Sequence, residues 1–247
     1  ETIGGMEAAY EYTRRALEAG KHVVTANKEL VAAKGDELLE IAKNRNLNFL
    51  FEASVGGGIP ILRPIDQCLA ANEVYEIAGI LNGTTNFMLT KMIEEGMGFE
   101  DALALAQKLG YAERDPSADI DGHDACRKIC ILASLAFGRH VYPDQVHTEG
   151  ISRVSAADVQ YAAAWGGAVK LIGRAVRQAD GRLYAVVSPM LLKKSSLLAD
   201  VSGVFNGILL NSNMLGESMY YGSGAGKLPT ASAVVGDMIA AVQLKDR

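Results

Sequence analysis

The chain has 247 residues, 49% of them hydrophobic and 21% charged, with a formal net charge of −5 at pH 7. That length allows one large or two small domains around a sizeable core, and the composition is that of a globular protein. An acidic balance without a basic stripe argues against a nucleic-acid partner, and the longest apolar runs, such as Ile129–Phe137, are too short to span a membrane.

In chain order, Gly5–Ala19 reads as a helix closed by Gly20, His22-Val-Val-Thr25 as a short strand, Leu30–Asn44 as a helix and Asn48–Glu52 as a strand. This alternation is the grammar of a parallel sheet covered by helices. The first strand of such a unit normally carries a Gly-x-Gly-x-x-Gly turn, and none is present, as though the chain begins inside the pattern. In Ala53-Ser-Val55-Gly56-Gly57-Gly58-Ile59-Pro60, the glycines permit a tight turn that exposes carbonyls, and Pro60 suits the first turn of a following helix. Val74–Leu81 reads as a strand and Asn82-Gly-Thr-Thr-Asn86 as a turn and helix cap. Helices are expected over Asn86–Glu95 and Phe99–Leu109, the second stopped by Gly110.

Glu113, Asp115, Asp119, Asp121 and Asp124 then fall within a dozen residues, before the charge changes sign at Arg127 and Lys128. Like charges repel and resist burial, so packing does not explain the cluster. Pro116 and Gly122 break it into turns, and Asp124–Phe137 carries apolar residues at helical spacing. Asp124 and Lys128 therefore share a helix face. Such a pair is usually a surface contact worth a few tenths of a kcal/mol. A carboxylate holding an ammonium beside further acids also makes a polar active-site wall. An EF-hand frame starting at Ser117 fails, because its twelfth position is Lys128 where a bidentate Glu is required.

Val154–Trp165 reads as a helix, Val169–Arg177 and Arg182–Pro189 as a hairpin around Ala179-Asp-Gly181, and Val204–Leu210 and Ser218–Tyr221 as strands. Gly222-Ser-Gly224-Ala-Gly226-Lys-Leu-Pro229-Thr230 precedes a helix to about Val242. A glycine turn before a helix N-terminus either accepts an anion or serves close packing alone. It is not a P-loop, since Leu228 follows Lys227 where Ser or Thr is needed. The odd count of cysteines, Cys68, Cys126 and Cys130, points to reduced thiols and a cytoplasmic location. Cys126 and Cys130 share one helix without a nearby His pair, so no zinc site is expected. His22, His123, His140 and His147 lack metal-ligand spacing, and Trp165 and the tyrosines are expected in the core or at an interface.

Several motifs in order resemble homoserine dehydrogenase. They are Thr25-Ala-Asn-Lys28, Glu52-Ala-Ser-Val-Gly-Gly-Gly-Ile-Pro60, Leu81-Asn-Gly-Thr-Thr-Asn86, Gly110-Tyr-Ala-Glu113 with Asp115-Pro-x-x-Asp119-x-x-Gly122-x-Asp124-x-x-x-Lys128, and Gly224-Ala-Gly226-x-x-Pro-Thr-Ala-Ser. The resemblance covers essentially the whole chain. It implies NAD(P)-dependent hydride transfer between L-homoserine and L-aspartate 4-semialdehyde, serving threonine, methionine and isoleucine synthesis. By resemblance Lys128 is the proton donor and Asp124 holds it, while Lys28 sits near nicotinamide and substrate. Glu113 binds the substrate ammonium, Asp119 is a substrate-side acid, and Gly110 approaches both substrate and cofactor. Thr25 and Gly226 line the cofactor. The triple-glycine loop resembles the family's sodium or potassium site, with Glu52 giving its carboxylate and Val55, Gly57 and Ile59 their carbonyls.

The implied fold is α/β. Residues 1–52 form the C-terminal part of a Rossmann-like nucleotide-binding domain, and 53–225 an α+β substrate-binding, catalytic and dimerisation domain with a mixed sheet. Residues 226–247 form a helix returning to the nucleotide-binding domain. A homodimer is implied, with Leu183–Val187 and Gly203–Leu210 as segments that pair between chains. Neither the family's glycine fingerprint nor the regulatory ACT domain of many members lies in these residues. The resemblance is therefore to a fragment of a longer enzyme, expected to bind NAD(P) weakly. The alternative is a catalytically weak fragment acting as a folded dimerisation module. No chain of basic residues is present to hold a phosphorylated substrate, which weighs against phospho-aldehyde enzymes.

Overall fold

A computed structural model describes residues 1–245 of the chain. Helix α1 (Glu7–Glu18) turns Ala9, Thr13 and Leu17 inward at four-residue spacing. Strand β1 (Val23–Val24) and strand β2 (Phe49–Leu50) pair in parallel, with helix α2 (Lys28–Asn44) as the crossover. The α2 helix starts two residues before the expected Leu30, because the Asn27 side chain accepts the Leu30 N–H at 3.1 Å and caps the helix.

The remainder is built on six strands: β3 (Val74–Ile80), β4 (His147–Thr148), β5 (Gly167–Arg177), β6 (Leu183–Lys193), β7 (Phe205–Ser212) and β8 (Gly216–Ser223). Their spatial order is β4-β6-β5-β3-β7-β8, and every pair is antiparallel except β4 with β6. The sheet is therefore mixed, as expected. Its helices are α3 (Gly83–Glu94), α4 (Phe99–Lys108), α5 (Ser117–Ile120), α6 (His123–Phe137), α7 (Ala156–Ala164) and α8 (Lys227–Lys245).

Strand alternation divides the core. Ile77, Leu171, Val187 and Ile208 join Ile129 and Leu132 of α6 in the main cluster. On the opposite face Ala78, Ile80, Ile172 and Leu209 are covered by Leu198 and Val201 from the segment between β6 and β7. Gly173 lets α6 lie close on β5, since an added Cβ there stands 3.2 Å from the Ile129 Cβ and 2.9 Å from the Leu81 side chain. This contact seats Lys128, the neighbour of Ile129, beside the end of β3.

Several expectations are corrected. Gly203–Leu210 does not pair between chains, because β7 is hydrogen-bonded on both edges, to β3 and to β8. Its continuous apolar run is that of a central strand buried on both faces. Leu183–Val187 keeps only part of an outer edge, since β4 occupies Val186 and Val187. Pro60 does not open a helix. The helical turn that runs on through Pro64–Cys68 starts only after Ile61, where the Glu52 carboxylate takes its first backbone N–H groups. Trp165 and Tyr161 are exposed on α7 and its C-cap, so neither is a core residue.

No helix among the described residues is long and apolar enough to cross a membrane. All three cysteines are free thiols, Cys68 exposed and Cys126 and Cys130 buried.

One buried cation stands apart from the acidic segment. Lys170 on β5 is 2% exposed and donates from Nζ to Val201 O at 2.6 Å and Asn86 Oδ1 at 3.2 Å. Asn86 Nδ2 in turn donates to Val201 O and Phe205 O, each at 3.1 Å, so the pair pins the β6–β7 segment to α3. Burial pushes the Lys170 pKa down from 10.5 to about 8, against the opposing pull of Glu94 and Asp200. A cation with a lowered folded-state pKa costs stability while it is charged. That penalty is complete below pH 8 and disappears as pH rises from about 8 to 10.5. Its full size is on the order of 3 kcal/mol. The wild-type gain in denaturant-unfolding free energy between pH 7.5 and 10 should therefore exceed that of Lys170→Met, and equal gains would disprove the account.

Candidate active site

The site is assembled at the N-terminus of α6. Gly122, at φ 83°, makes the turn into the helix, and the first helical turn presents Asp124 one turn before Lys128. An acid in a first turn is favoured by the helix dipole. Both side chains are buried, Asp124 at 6% and Lys128 at 8% exposure, so the common surface ion pair is not what forms here. Lys128 Nζ donates to Asp124 Oδ2 at 2.7 Å and to the carbonyl of Leu81, the residue after β3, at 2.8 Å. Lys28, the first residue of α2, brings a second ammonium to Asp124 Oδ1 at 3.1 Å. Lys28, named by the resemblance as a site lysine, thus reaches across to α6 with its side chain half-exposed.

Asn82 closes the cluster. As the N-cap of α3 it accepts from the Thr85 N–H at 2.8 Å and the Thr85 hydroxyl at 2.9 Å through Oδ1. Its Nδ2 donates to Asp119 Oδ1 at 2.6 Å and Asp124 Oδ2 at 2.9 Å. Burial alone raises the Asp124 pKa, but the charges of Lys128 and Lys28 and the bonds from Lys128 and Asn82 outweigh it and hold the group well below the usual carboxylate range. Asp119 moves the other way. Burial raises its pKa and the Asp124 charge adds to the rise, while the Asn82 bond and the Lys128 charge oppose it.

The structure brings Lys28, Asp119, Asp124 and Lys128 together. Glu113 is placed differently: its carbonyl accepts from Gln107 Nε2 at 3.0 Å, but its exposed carboxylate makes no hydrogen bond or ion pair among the described residues. The strip it belongs to is tied to the cluster by Thr84, whose hydroxyl donates to Tyr111 O at 2.6 Å. Gly110 closes α4 at φ 77°, a conformation few other residues adopt. Thr25, fully buried just after β1, accepts the Asn27 N–H at 2.9 Å and donates its hydroxyl to Glu1 Oε2 at 2.5 Å. Gly226 precedes α8, and its carbonyl accepts from Thr230 N–H at 3.0 Å.

The triple-glycine loop gathers oxygen acceptors that could hold a cation. Val55, Gly57 and Ile59 are buried, and their carbonyls accept no hydrogen bond among the described residues. Orphaned buried carbonyls call for a partner. The Glu52 carboxylate accepts N–H groups from Ile61, Leu62 and Arg63 at 2.7, 2.8 and 2.8 Å. A carboxylate offers about four acceptor positions, which leaves room for one more contact. Oxygen donors with one net charge suit sodium or potassium better than calcium. An added Cβ on Gly57 would stand 2.6 Å from Gly224 O, so this loop is pressed against the C-terminal glycine turn. Among the described residues no group of three or more His, Cys, Asp or Glu side chains could hold a metal ion.

Sequence reasoning missed Asn82 as a member of the site, and it missed Asp237. The latter, buried on α8, accepts Glu52 N–H at 2.8 Å and Arg63 Nη2 at 2.6 Å and so ties α8 to the glycine loop. A signal for Asn82 existed: a capping Asn uses its oxygen and leaves two N–H donors free. Asp237 lies 185 residues from Glu52, and nothing local announces the contact.

Residues 60–239 match the family model described as homoserine dehydrogenase, and residues 1–52 that described as homoserine dehydrogenase, NAD binding domain. The homoserine dehydrogenases of Neisseria gonorrhoeae and Pseudomonas aeruginosa are 48% and 47% identical to the chain over 97% and 98% of its length. The chain spans 55% and 56% of those relatives. The crystal structure of a homoserine dehydrogenase from Thiobacillus denitrificans is similar with a TM-score of 0.97 and 45% identity, over 100% of this chain and 57% of that one. A hyperthermophilic archaeal homoserine dehydrogenase in complex with NADPH is similar with a TM-score of 0.85 and 34% identity, over 98% of this chain and 70% of that one.

Proposed function

Because the chain belongs to the homoserine dehydrogenase family, we propose that it forms the catalytic portion of an NAD(P)-dependent enzyme interconverting L-homoserine and L-aspartate 4-semialdehyde. One observation carries this reading. The Lys128 ammonium has three protons, and two of them are committed at 2.7 and 2.8 Å to Asp124 and Leu81 O. The third is free for a substrate oxygen, on a side chain that its own fold holds rigid.

In the reductive direction Lys128 gives that proton to the aldehyde oxygen as hydride reaches the carbonyl carbon. In the oxidative direction the neutral amine takes the hydroxyl proton while the adjacent carbon loses hydride. NAD(P), when bound, supplies or accepts that hydride. Asp124 holds Lys128 in place and stabilises its charge, and Lys28 offsets the charge of Asp124 on the nucleotide side. Glu113, exposed and uncommitted, is free to receive the substrate ammonium, with Asp119 as the second substrate-side acid. Thr25, Gly110 and Gly226 line the cofactor. Sodium or potassium at Glu52, Val55, Gly57 and Ile59 would supply the charge that fixes the glycine loop. Residues 1–52 serve the cofactor, 53–225 the substrate and dimerisation, and 226–245 return to the nucleotide side, the last two residues of the expected 226–247 segment lying outside the described residues. A homodimer then uses the sheet's outer face or its β6 and β8 margins, because β7 is closed. Threonine, methionine and isoleucine synthesis is the corresponding pathway, and free thiols fit a cytoplasmic enzyme.

A module serving only association has no use for a buried acid–ammonium cluster, which is costly to desolvate. The test compares homoserine with its analogue lacking the amino group, in the natural full-length protein. Homoserine should be preferred in kcat/KM by at least about a hundredfold, and Glu113→Gln should erase most of that preference. Equal use of both substrates by the wild type would reject the reading.

A further inference from the structure

Asn82 does more than a helix cap requires. A capping side chain needs only its oxygen, and Oδ1 fills that place by accepting the Thr85 N–H and hydroxyl at 2.8 and 2.9 Å. This double acceptance fixes which end of the carboxamide is oxygen. The nitrogen is thereby aimed the other way, with Asp119 Oδ1 at 2.6 Å and Asp124 Oδ2 at 2.9 Å. Nδ2 carries two protons, one for each acid. At 5% exposure the side chain has little water competing for those bonds.

We infer that Asn82 is a positioning residue for substrate binding: it clamps Asp119 and Asp124 into one rigid pair and keeps Asp119 charged, so that a substrate ammonium meets a preset negative site. The inference rests on the function proposed above and adds to it a residue that acts through the two acids, its own polar atoms being committed to Asp119, Asp124 and Thr85. Without the clamp Asp119 is poorly placed to stay ionised. Burial and the neighbouring Asp124 both favour its neutral form. The groups facing it are Asn82 and Thr84 from α3 and Asp124 and Lys128 from α6, while Lys28 reaches the cluster through Asp124. Of these, Asn82 is the one that donates to both acids at once.

Asn82→Ser separates the two tasks, because serine is a good cap but too short to reach either acid. In the natural full-length protein, with homoserine and NAD(P)+ as probes, the acidic limb of kcat/KM should move to higher pH by about one unit, the worth of one charged hydrogen bond. KM for homoserine should rise more than kcat falls. Asn82→Asp keeps the cap and adds a third negative charge, so the limb should move further in the same direction. A cap or fold defect instead lowers kcat/KM by one factor at every pH. That outcome, or an unmoved limb, overturns the inference, and Asn82→Asp decides the matter if the serine variant fails to fold. A second readout needs no turnover: a carboxyl-carbon NMR titration of Asp119 should show its pKa raised in both variants. If wild type does not oxidise homoserine but this titration shifts, the functional reading fails and the clamp stands. If wild type is active and neither the limb nor the titration moves, the clamp alone fails.

Discussion

Lys128→Met should lower homoserine oxidation by about a thousandfold while leaving the fold and any dimer intact. Methionine keeps the length of the side chain and removes the ammonium. The charge lost is not the only one near Asp124, which retains Lys28 at 3.1 Å and the Asn82 amide at 2.9 Å. The carboxylate is therefore not stranded, and the main casualty is the proton that meets the substrate oxygen. Mutations that merely loosen the site raise KM. Loss of the proton donor lowers kcat and kcat/KM together. Steady-state kinetics of the full-length protein, with size-exclusion chromatography as the control for folding, distinguishes the two. Activity within tenfold of wild type would mean that the α6 cluster is structural and that the acid–base assignment is wrong.

Asp124→Leu should cost about 3–5 kcal/mol of stability, the larger penalty of the pair. Here the buried ammonium loses its carboxylate and keeps one carbonyl, Leu81 O at 2.8 Å. The asymmetry follows from what each deletion leaves behind: a neutral thioether beside a still-paired acid, or a buried cation with no counter-ion but a distant share of the acids around it. The double variant Asp124→Leu, Lys128→Met should recover much of the loss, because removing both charges removes the desolvation cost. The acid dependence has a definite sign. Asp124 has a folded-state pKa held below its ordinary 3.8. Its contribution is present above the ordinary value and is lost as pH falls through the depressed one. Wild type should therefore lose stability below about pH 4 more steeply than Asp124→Leu does. Urea unfolding of both proteins from pH 6 downward measures this, and parallel curves would refute it.

The Asp124–Lys128 pair was legible because it is local. Asp124 and Lys128 are four residues apart on one helix, and the turn at Gly122 that starts the helix is written in a residue suited to positive φ. Period alone put both groups on one face. Most of the longer helices and strands followed from spacing in the same way, whereas the short α5 and β4 carry no periodic signal. What periodicity cannot report is whether that face is wet. The same i,i+4 pair is a weak surface contact on one protein and a buried ion pair on another, and the difference is made by β5 and Leu81 packing over α6 through Gly173.

Distance in sequence also hid half of the partners. Lys28 meets Asp124, Asn82 meets Asp119, and Asp237 meets Glu52 only when separate elements are stacked. Strand neighbours were equally silent. The apolar run of β7 looks the same whether its partner is another chain or β3 and β8, because hydrophobicity states that a strand is buried and not what lies along its edges. The sequence by itself determined which groups are acids, amines and turn-makers, and on which local element each one rides. Tertiary structure alone decided which of them lose water and face one another. Proton affinities follow from that second decision, since desolvation and opposing charge act through space and not along the chain.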